Sequence, residues 1–167
     1  PADSRLLRTV AEEGIATALP MAFGSGLPTL PQQLAEQRAL RRLVRDEGID
    51  LVHVNGARDH RFVMQSLLGM RRPPIILTKH NSKPTNTLGN AFRARWATDR
   101  VIAVSAHTGR LLEQGPYRRC PIDVVRNGVD LARFAPMAAD AGQAMRQQWT
   151  QDPDDLVLVS NAGTDDY

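Results

Sequence analysis

The stretch TDRVIAVSAHTGRLLEQGPYRRCPIDVVRNGVD, residues 98–130, decides the fold. Its VIAV run at 101–104 is apolar and rich in β-branched side chains, as a buried strand requires. Ser105 follows at once and is placed to cap a helix running through Glu113. A second apolar run, IDVV at 122–125, ends at Asn127-Gly128, a pair suited to a sharp turn. Strand, helix and strand in that order make a crossover unit, which joins parallel strands with a right hand.

The same alternation extends outward. Residues 75–78 (IILT) are continuously apolar, the mark of a central parallel strand covered on both faces. Residues 50–54 (DLVHV) form a shorter strand that stops at Asn55-Gly56. Between them a helix over about 58–69 presents Phe62, Met64, Leu67 and Leu68, and Arg71-Arg72-Pro73-Pro74 breaks it. Residues 81–90 are polar, contain Pro84 and Gly89, and read as a loop feeding a helix at 91–97. Upstream, Pro31 opens a helix through about Glu47, with Leu34, Leu40, Leu43 and Val44 at helical spacing and Gly48 as its stop.

Farther out, residues 4–13 have a helical pattern. Residues 15–23 read as a strand in which Pro20 implies an edge or a bulge, followed by the turn Gly24-Ser25-Gly26. Past the deciding stretch, a helix near 138–149, a turn at 152–155 and one more strand at 156–159 are expected. The prediction is an α/β, Rossmann-like, doubly wound parallel sheet with helices on both faces.

Composition narrows the function classes. Of 167 residues, 42% are hydrophobic and 23% charged, which suits a globular domain with a real core. No apolar window is long enough for a transmembrane helix, and no signal-peptide pattern stands at the start. Cys120 is the single cysteine, which excludes a disulfide framework and a cysteine-rich metal site. It is expected at the surface or half-buried, in a reducing, cytoplasmic setting. The net charge is +3 and nearly all cations are arginines, in groups such as Arg71-Arg72 and Arg118-Arg119. With aromatics at 5%, nucleic acid is a poor partner. An anionic substrate or a bilayer surface suits the modest excess better, so a peripheral contact at the inner membrane face is expected.

In parallel sheets ligands gather where strands end, and here those ends carry Asn55-Gly56, His80-Asn81, Ser105 and Asn127-Gly128. No glycine-rich phosphate loop, nucleophile elbow or metal-spaced cluster is present. His53 lies mid-strand and reads as a core histidine. Position alone leaves His80 open between a ligand contact in the crevice and a strand-end residue capping backbone groups.

Taken together, TDRVIAVS at 98–105, IDVVRNGVD at 122–130 and ARFAP at 132–136 closely resemble the signature of family 4 glycosyltransferases. DLVHVNG at 50–56 and LTKHN at 77–81 resemble strand ends of the same family. Order and spacing, over roughly residues 15–140, carry the resemblance. It implies the N-terminal, acceptor-side half of a GT-B enzyme, in which two Rossmann-like domains face a cleft. Residues 1–150 would be that domain, and 151–167 a linker and the start of a nucleotide-sugar domain. The chain would then be truncated at both ends and inactive alone.

The resemblance further implies transfer of a sugar from a nucleotide-sugar donor, with retention of configuration and without a metal or other cofactor. The acceptor would be a glycan or a lipid-linked glycan, as in surface polysaccharide or lipopolysaccharide biosynthesis. It makes His80 the catalytic candidate, placed near the donor sugar. Asn55, Gly56, Arg58, Lys79, Asn81 and Ser82 become the acceptor-binding candidates. Asn127, Gly128 and Asp130 become an interdomain turn near the cleft, with Val129 and Phe134 seating it. The residues from Val159 to Thr164 depart from the family pattern, so the donor is unreadable. The alternative is a non-catalytic Rossmann-like module binding a glycan or a phosphorylated ligand. A sugar-nucleotide epimerase fits the Asn-Gly-Val-Asp segment poorly, and a nicotinamide dehydrogenase lacks its glycine fingerprint.

Overall fold

The structure, a computed structural model, describes residues 5–15, 21, 29–135, 139–152 and 154–158. In chain order its elements are α1 (Arg5–Glu12), α2 (Leu30–Asp46), β1 (Val52–Val54), α3 (Ala57–Leu67), β2 (Ile75–Lys79), α4 (Leu88–Trp96), β3 (Arg100–Ala103), α5 (Ala106–Glu113), β4 (Ile122–Val124) and α6 (Ala139–Arg146). A 3₁₀ turn, Pro116–Arg119, links α5 to β4. The chain divides into two compact units, Pro1–Asn127 and Gly128–Tyr167.

The first unit is an α/β, Rossmann-like fold. Its four strands lie parallel in the order β1-β2-β3-β4. Right-handed crossovers between neighbours taken in one direction put α3, α4 and α5 over one face. That face carries Val54, Ile75, Leu77, Val101 and Ala103, all buried. Val63 and Leu67 of α3, Ala94 of α4, Leu112 of α5 and Tyr117 complete its core. The opposite face, with His53, Ile76 and Ile102, is only partly covered among the described residues. The strand expected at 15–23 and the turn at Gly24-Ser25-Gly26 lie outside the described residues, apart from Ile15 and Met21.

Local chemistry sets the element ends. The Ser105 hydroxyl accepts the N–H of Thr108 at 3.1 Å, the cap the sequence predicts. Thr87 does the same for Asn90 at 3.2 Å, starting α4 three residues earlier than the apolar pattern suggests. Gly48 and Gly69 end α2 and α3 with φ of 60° and 78°, the left-handed region that glycine enters without steric penalty.

Several expectations need correction. His53 is exposed, with Nε2 2.7 Å from the Thr78 hydroxyl, and it is His60 that is buried in the core. In α3 the expected Phe62 and Leu67 are buried and Met64 is partly buried, His60, Val63 and Ser66 join them, and only Leu68 departs, exposed beyond the helix end. Cys120 is buried, its thiol within 3.6 Å of the Ala94 carbonyl and 3.5 Å of the Thr98 carbonyl. Burial first, then the charge of Asp99, pushes that thiol's pKa up, which makes it a poor nucleophile.

In the second unit α6 covers the expected helix. Arg146 ties its end to the Asp152 and Asp155 carbonyls. Leu156 to Leu158 form no strand, and Leu156 and Leu158 are exposed. A parallel strand needs a neighbour to pair its backbone. Val159 lies outside the described residues.

Candidate functional site

Crossover topology brings the carboxyl ends of β1 and β2 side by side, and the loops leaving them enclose a small open-mouthed cavity of about 70 Å³. Asn55 and Gly56 come from the end of β1. Lys79, His80 and Asn81 come from the end of β2, so five of the predicted contact residues meet at one place. Arg58 and Ser82 do not. Arg58 is exposed on the first turn of α3, and Ser82 is exposed in the loop after β2.

The lip is polar and exposed. His80 Nε2 lies 3.5 Å from Asn55 Oδ1. Lys79 donates to Asn81 Oδ1 at 2.6 Å, and Asn81 Oδ1 also accepts the N–H of Lys83 at 3.1 Å. Burial, and secondly the charge of Lys83, hold the Lys79 ammonium below the usual lysine value. Among the described residues the cavity lining includes Lys79 and Arg93 and no carboxylate. Asp59, one turn into α3, folds back to accept the N–H groups of Asn55 at 2.7 Å and Gly56 at 3.1 Å. That contact pins the Asn55-Gly56 corner and neutralises the helix start. A Cβ on Gly56 would meet Asp59 Oδ1 at 3.0 Å, a tight contact that would press on the carboxylate holding the corner.

The floor comes from residues the sequence reading did not single out. His60, fully buried, places Nε2 2.9 Å from the Ala97 carbonyl and 3.1 Å from the Thr98 hydroxyl. A carbonyl can only accept, so Nε2 carries the proton and Nδ1 is a lone pair. That Nδ1 is buried with no hydrogen-bond partner. Burial above all holds the His60 pKa down, which keeps the ring neutral. Tyr117, buried beside it, lies 3.4 Å from Asn90 Oδ1, and Arg93 donates to the same oxygen. Thr85 closes the floor and sits so near Gly115 that a Cβ there would be 2.5 Å from Thr85 Oγ1.

A signal for His60 did exist in the sequence. It stands three and seven residues before Val63 and Leu67, so helical spacing places it on the inward stripe. Tyr117, Asn90 and Arg93 gave no such signal, because the 3₁₀ turn that seats Tyr117 has no periodicity to read.

The remaining candidates lie at the junction of the two units. Asn127 ends the first and Gly128 begins the second. Gly128 does not take a positive φ; among described glycines only Gly14, Gly48 and Gly69 do. The turn is organised instead by Asp130, whose carboxylate accepts the N–H groups of Ala132 and Arg133 at 3.0 and 3.1 Å. Val129 and Phe134, expected to seat it, are exposed.

The family model described as Glycosyltransferase Family 4 matches residues 3–133. A solved structure of a sucrose-phosphate synthase from Thermosynechococcus elongatus is similar at 16% identity. The match covers 82% of this chain and 70% of that one, with a TM-score of 0.47. No curated protein matches.

Proposed function

The chain belongs to glycosyltransferase family 4, and from that premise we propose that its rim pocket is the acceptor side of a retaining, nucleotide-sugar-dependent transferase. The observation that carries this is the meeting of Asn55, Gly56, Lys79, His80 and Asn81 around one cavity at adjoining strand ends. The cavity is small by the standards of ligand pockets, which run to several hundred Å³. It suits one edge of a substrate, the rest being held by a second, nucleotide-binding domain facing it.

Each residue then has a role that its chemistry allows. His80, exposed on the lip, hydrogen-bonds the transferring sugar or offsets charge on the departing diphosphate. Lys79 and Asn81 hold acceptor hydroxyls or an acidic substituent, with no carboxylate among the described lining residues to compete. Asn55 steadies the His80 ring and Gly56 leaves room for the acceptor. Asn127, Gly128 and Asp130 form the joint to the second domain. The acceptor is a glycan or a lipid-linked glycan of a surface polysaccharide or lipopolysaccharide, extended in the cytoplasm without a metal.

The test is nucleotide release by the intact protein from a panel of UDP-, GDP- and ADP-sugars, with His80→Ala alongside. Turnover with one donor, falling about 10²- to 10³-fold in a variant that melts like the parent, supports the reading. No turnover with any donor sinks it and leaves a binding module. Undiminished turnover in His80→Ala removes His80 from the chemistry.

A further inference from the structure

Helix α4 is amphipathic in the wrong sense for a helix that faces only water. Its inward side carries Asn90 and Arg93, which line the rim pocket, and the buried Ala94. Its outward side carries Leu88, Phe92 and Trp96, spaced i, i+4 and i+8 and therefore stacked along one stripe. These large apolar residues are 91%, 52% and 53% exposed. Leu68, also exposed, stands with Trp96 and Arg95 around a neighbouring groove and extends the apolar surface past the helix end.

The charge bordering this stripe is mainly positive. The Arg95 guanidinium sits over the Trp96 ring, 4.4 Å from its centroid. Exposed Arg118 and Arg119 face Leu88 and Ala91 across a groove of about 460 Å³ that has no carboxylate among its described lining residues. The acidic group near Trp96, Asp99, is held by Arg72 at 2.6 Å. Apolar and aromatic side chains bordered by arginines, on a short helix lying along the surface, match the interface of an anionic bilayer. Trp suits the boundary between acyl chains and headgroups, and arginine suits lipid phosphates.

We propose that the outward face of α4, with Arg95, Arg118 and Arg119, docks this domain on an anionic lipid surface. Leu88, Phe92 and Trp96 enter the boundary between headgroups and acyl chains, and the arginines contact lipid phosphates. Asn90 and Arg93 belong to the same helix, so the rim pocket lies about one helix diameter, roughly 10 Å, from the membrane surface. A substrate carried on a lipid would reach the pocket from the side. The docking does not depend on the transferase reading, because binding is measured without turnover.

The experiment uses the intact protein with Trp149→Phe, which leaves Trp96 as the one tryptophan of this chain's two. Vesicles of phosphatidylcholine alone are compared with vesicles mixed equally with phosphatidylglycerol. The expected result is a blue shift of Trp96 emission, and quenching by brominated acyl chains, with the anionic vesicles and not the neutral ones. Leu88→Ser with Phe92→Ser should weaken cosedimentation about tenfold or more. Arg118→Glu with Arg119→Glu should do at least as much, since each arginine near such a surface strengthens binding about fivefold. All four positions are exposed, so the variants should melt with the parent.

Three results would overturn the proposal. The first is a Trp96 emission that responds equally to both vesicle types or to neither. Trp96 can prove already shielded without lipid, which means another part of the protein covers the face. Phe92→Ser can change the molecular mass in solution, which means a second copy covers it.

Discussion

His60, on the floor of the rim pocket, is fully buried and bonded to Ala97 and Thr98, whereas His80, on the lip, is exposed and stands 3.5 Å from Asn55. The two imidazoles belong to one cavity and share one chemistry, yet their surroundings assign them opposite work. The floor holds α3, α4 and the Tyr117 turn together, so its hydrogen bonds stabilise the fold. The lip leaves its polar groups open to a ligand. Substitutions on the floor should therefore change stability, and those on the lip should change turnover or binding while leaving stability alone.

The sharpest break of this comparison is His60→Ala beside His80→Ala. Removing the buried ring leaves a cavity and strips a donor from the Ala97 carbonyl, costing about 3–5 kcal/mol of unfolding free energy. An exposed side chain away from any packed contact should change stability by no more than about 0.5 kcal/mol. Urea melts of the two variants decide it. If His80→Ala unfolds as readily as His60→Ala, the lip is structural and the division fails.

Gly115→Ala addresses the seam between the levels. An added methyl would press on Thr85 Oγ1 and stand 3.3 Å from Asn86 Oδ1, at the root of the loop that carries Asn81. Overpacking of this kind costs about 1–3 kcal/mol. Because the displaced atoms lie under the lip, acceptor KM should rise as well. A loss of stability with KM unchanged would show that floor and lip are mechanically separate.

How much of this was legible in the sequence follows from which features are local. The β2 and β3 strands and the Ser105 cap are written in adjacent residues, so the parallel fold and the strand-end position of His80 could be read directly. Side-chain direction was harder. His53 reads as a core residue and is exposed, because a three-residue strand such as β1 offers too few alternations to fix its inward face. Tyr117 joins the floor through a turn without period, and Arg93 reaches it from a helix whose start was placed three residues late. Arg58 follows Gly56 closely in sequence, but the first turn of α3 carries it away from the cavity. Proximity in the chain is a poor guide across a helix start.

A smaller effect is expected at the helix caps. Ser105→Ala removes the acceptor for the Thr108 N–H and should cost about 1 kcal/mol. Thr87→Ala should cost a similar amount through Asn90. The two differ in consequence, since Asn90 lines the pocket and Thr108 does not. Thermal melts should shift alike, while acceptor binding should weaken in Thr87→Ala alone. Equal binding in both would show that the start of α4 is held by its packing rather than by its cap.

The finest test uses pH. Burial holds the folded pKa of His60 below that of an unfolded histidine, which lies near 6.5. The unfolded chain therefore binds the proton more readily, and stability falls as pH drops below about 6.5 toward the lowered folded value. Asp99 obeys the same sign rule in a lower window. Burial pushes its carboxyl up, but hydrogen bonds from Arg72 and the Ile75 N–H outweigh that and hold it below the usual range. Its contribution is present above about pH 4 and is lost as pH falls through its lowered value. His60→Gln keeps an N–H able to reach the Ala97 carbonyl and cannot titrate. It should flatten the stability profile between about pH 6.5 and 4 and leave the steeper acid limb in place. A parent profile already flat in the upper window would mean that the ring accepts a proton at Nδ1 without penalty, and that the pocket floor is wetter than its burial implies.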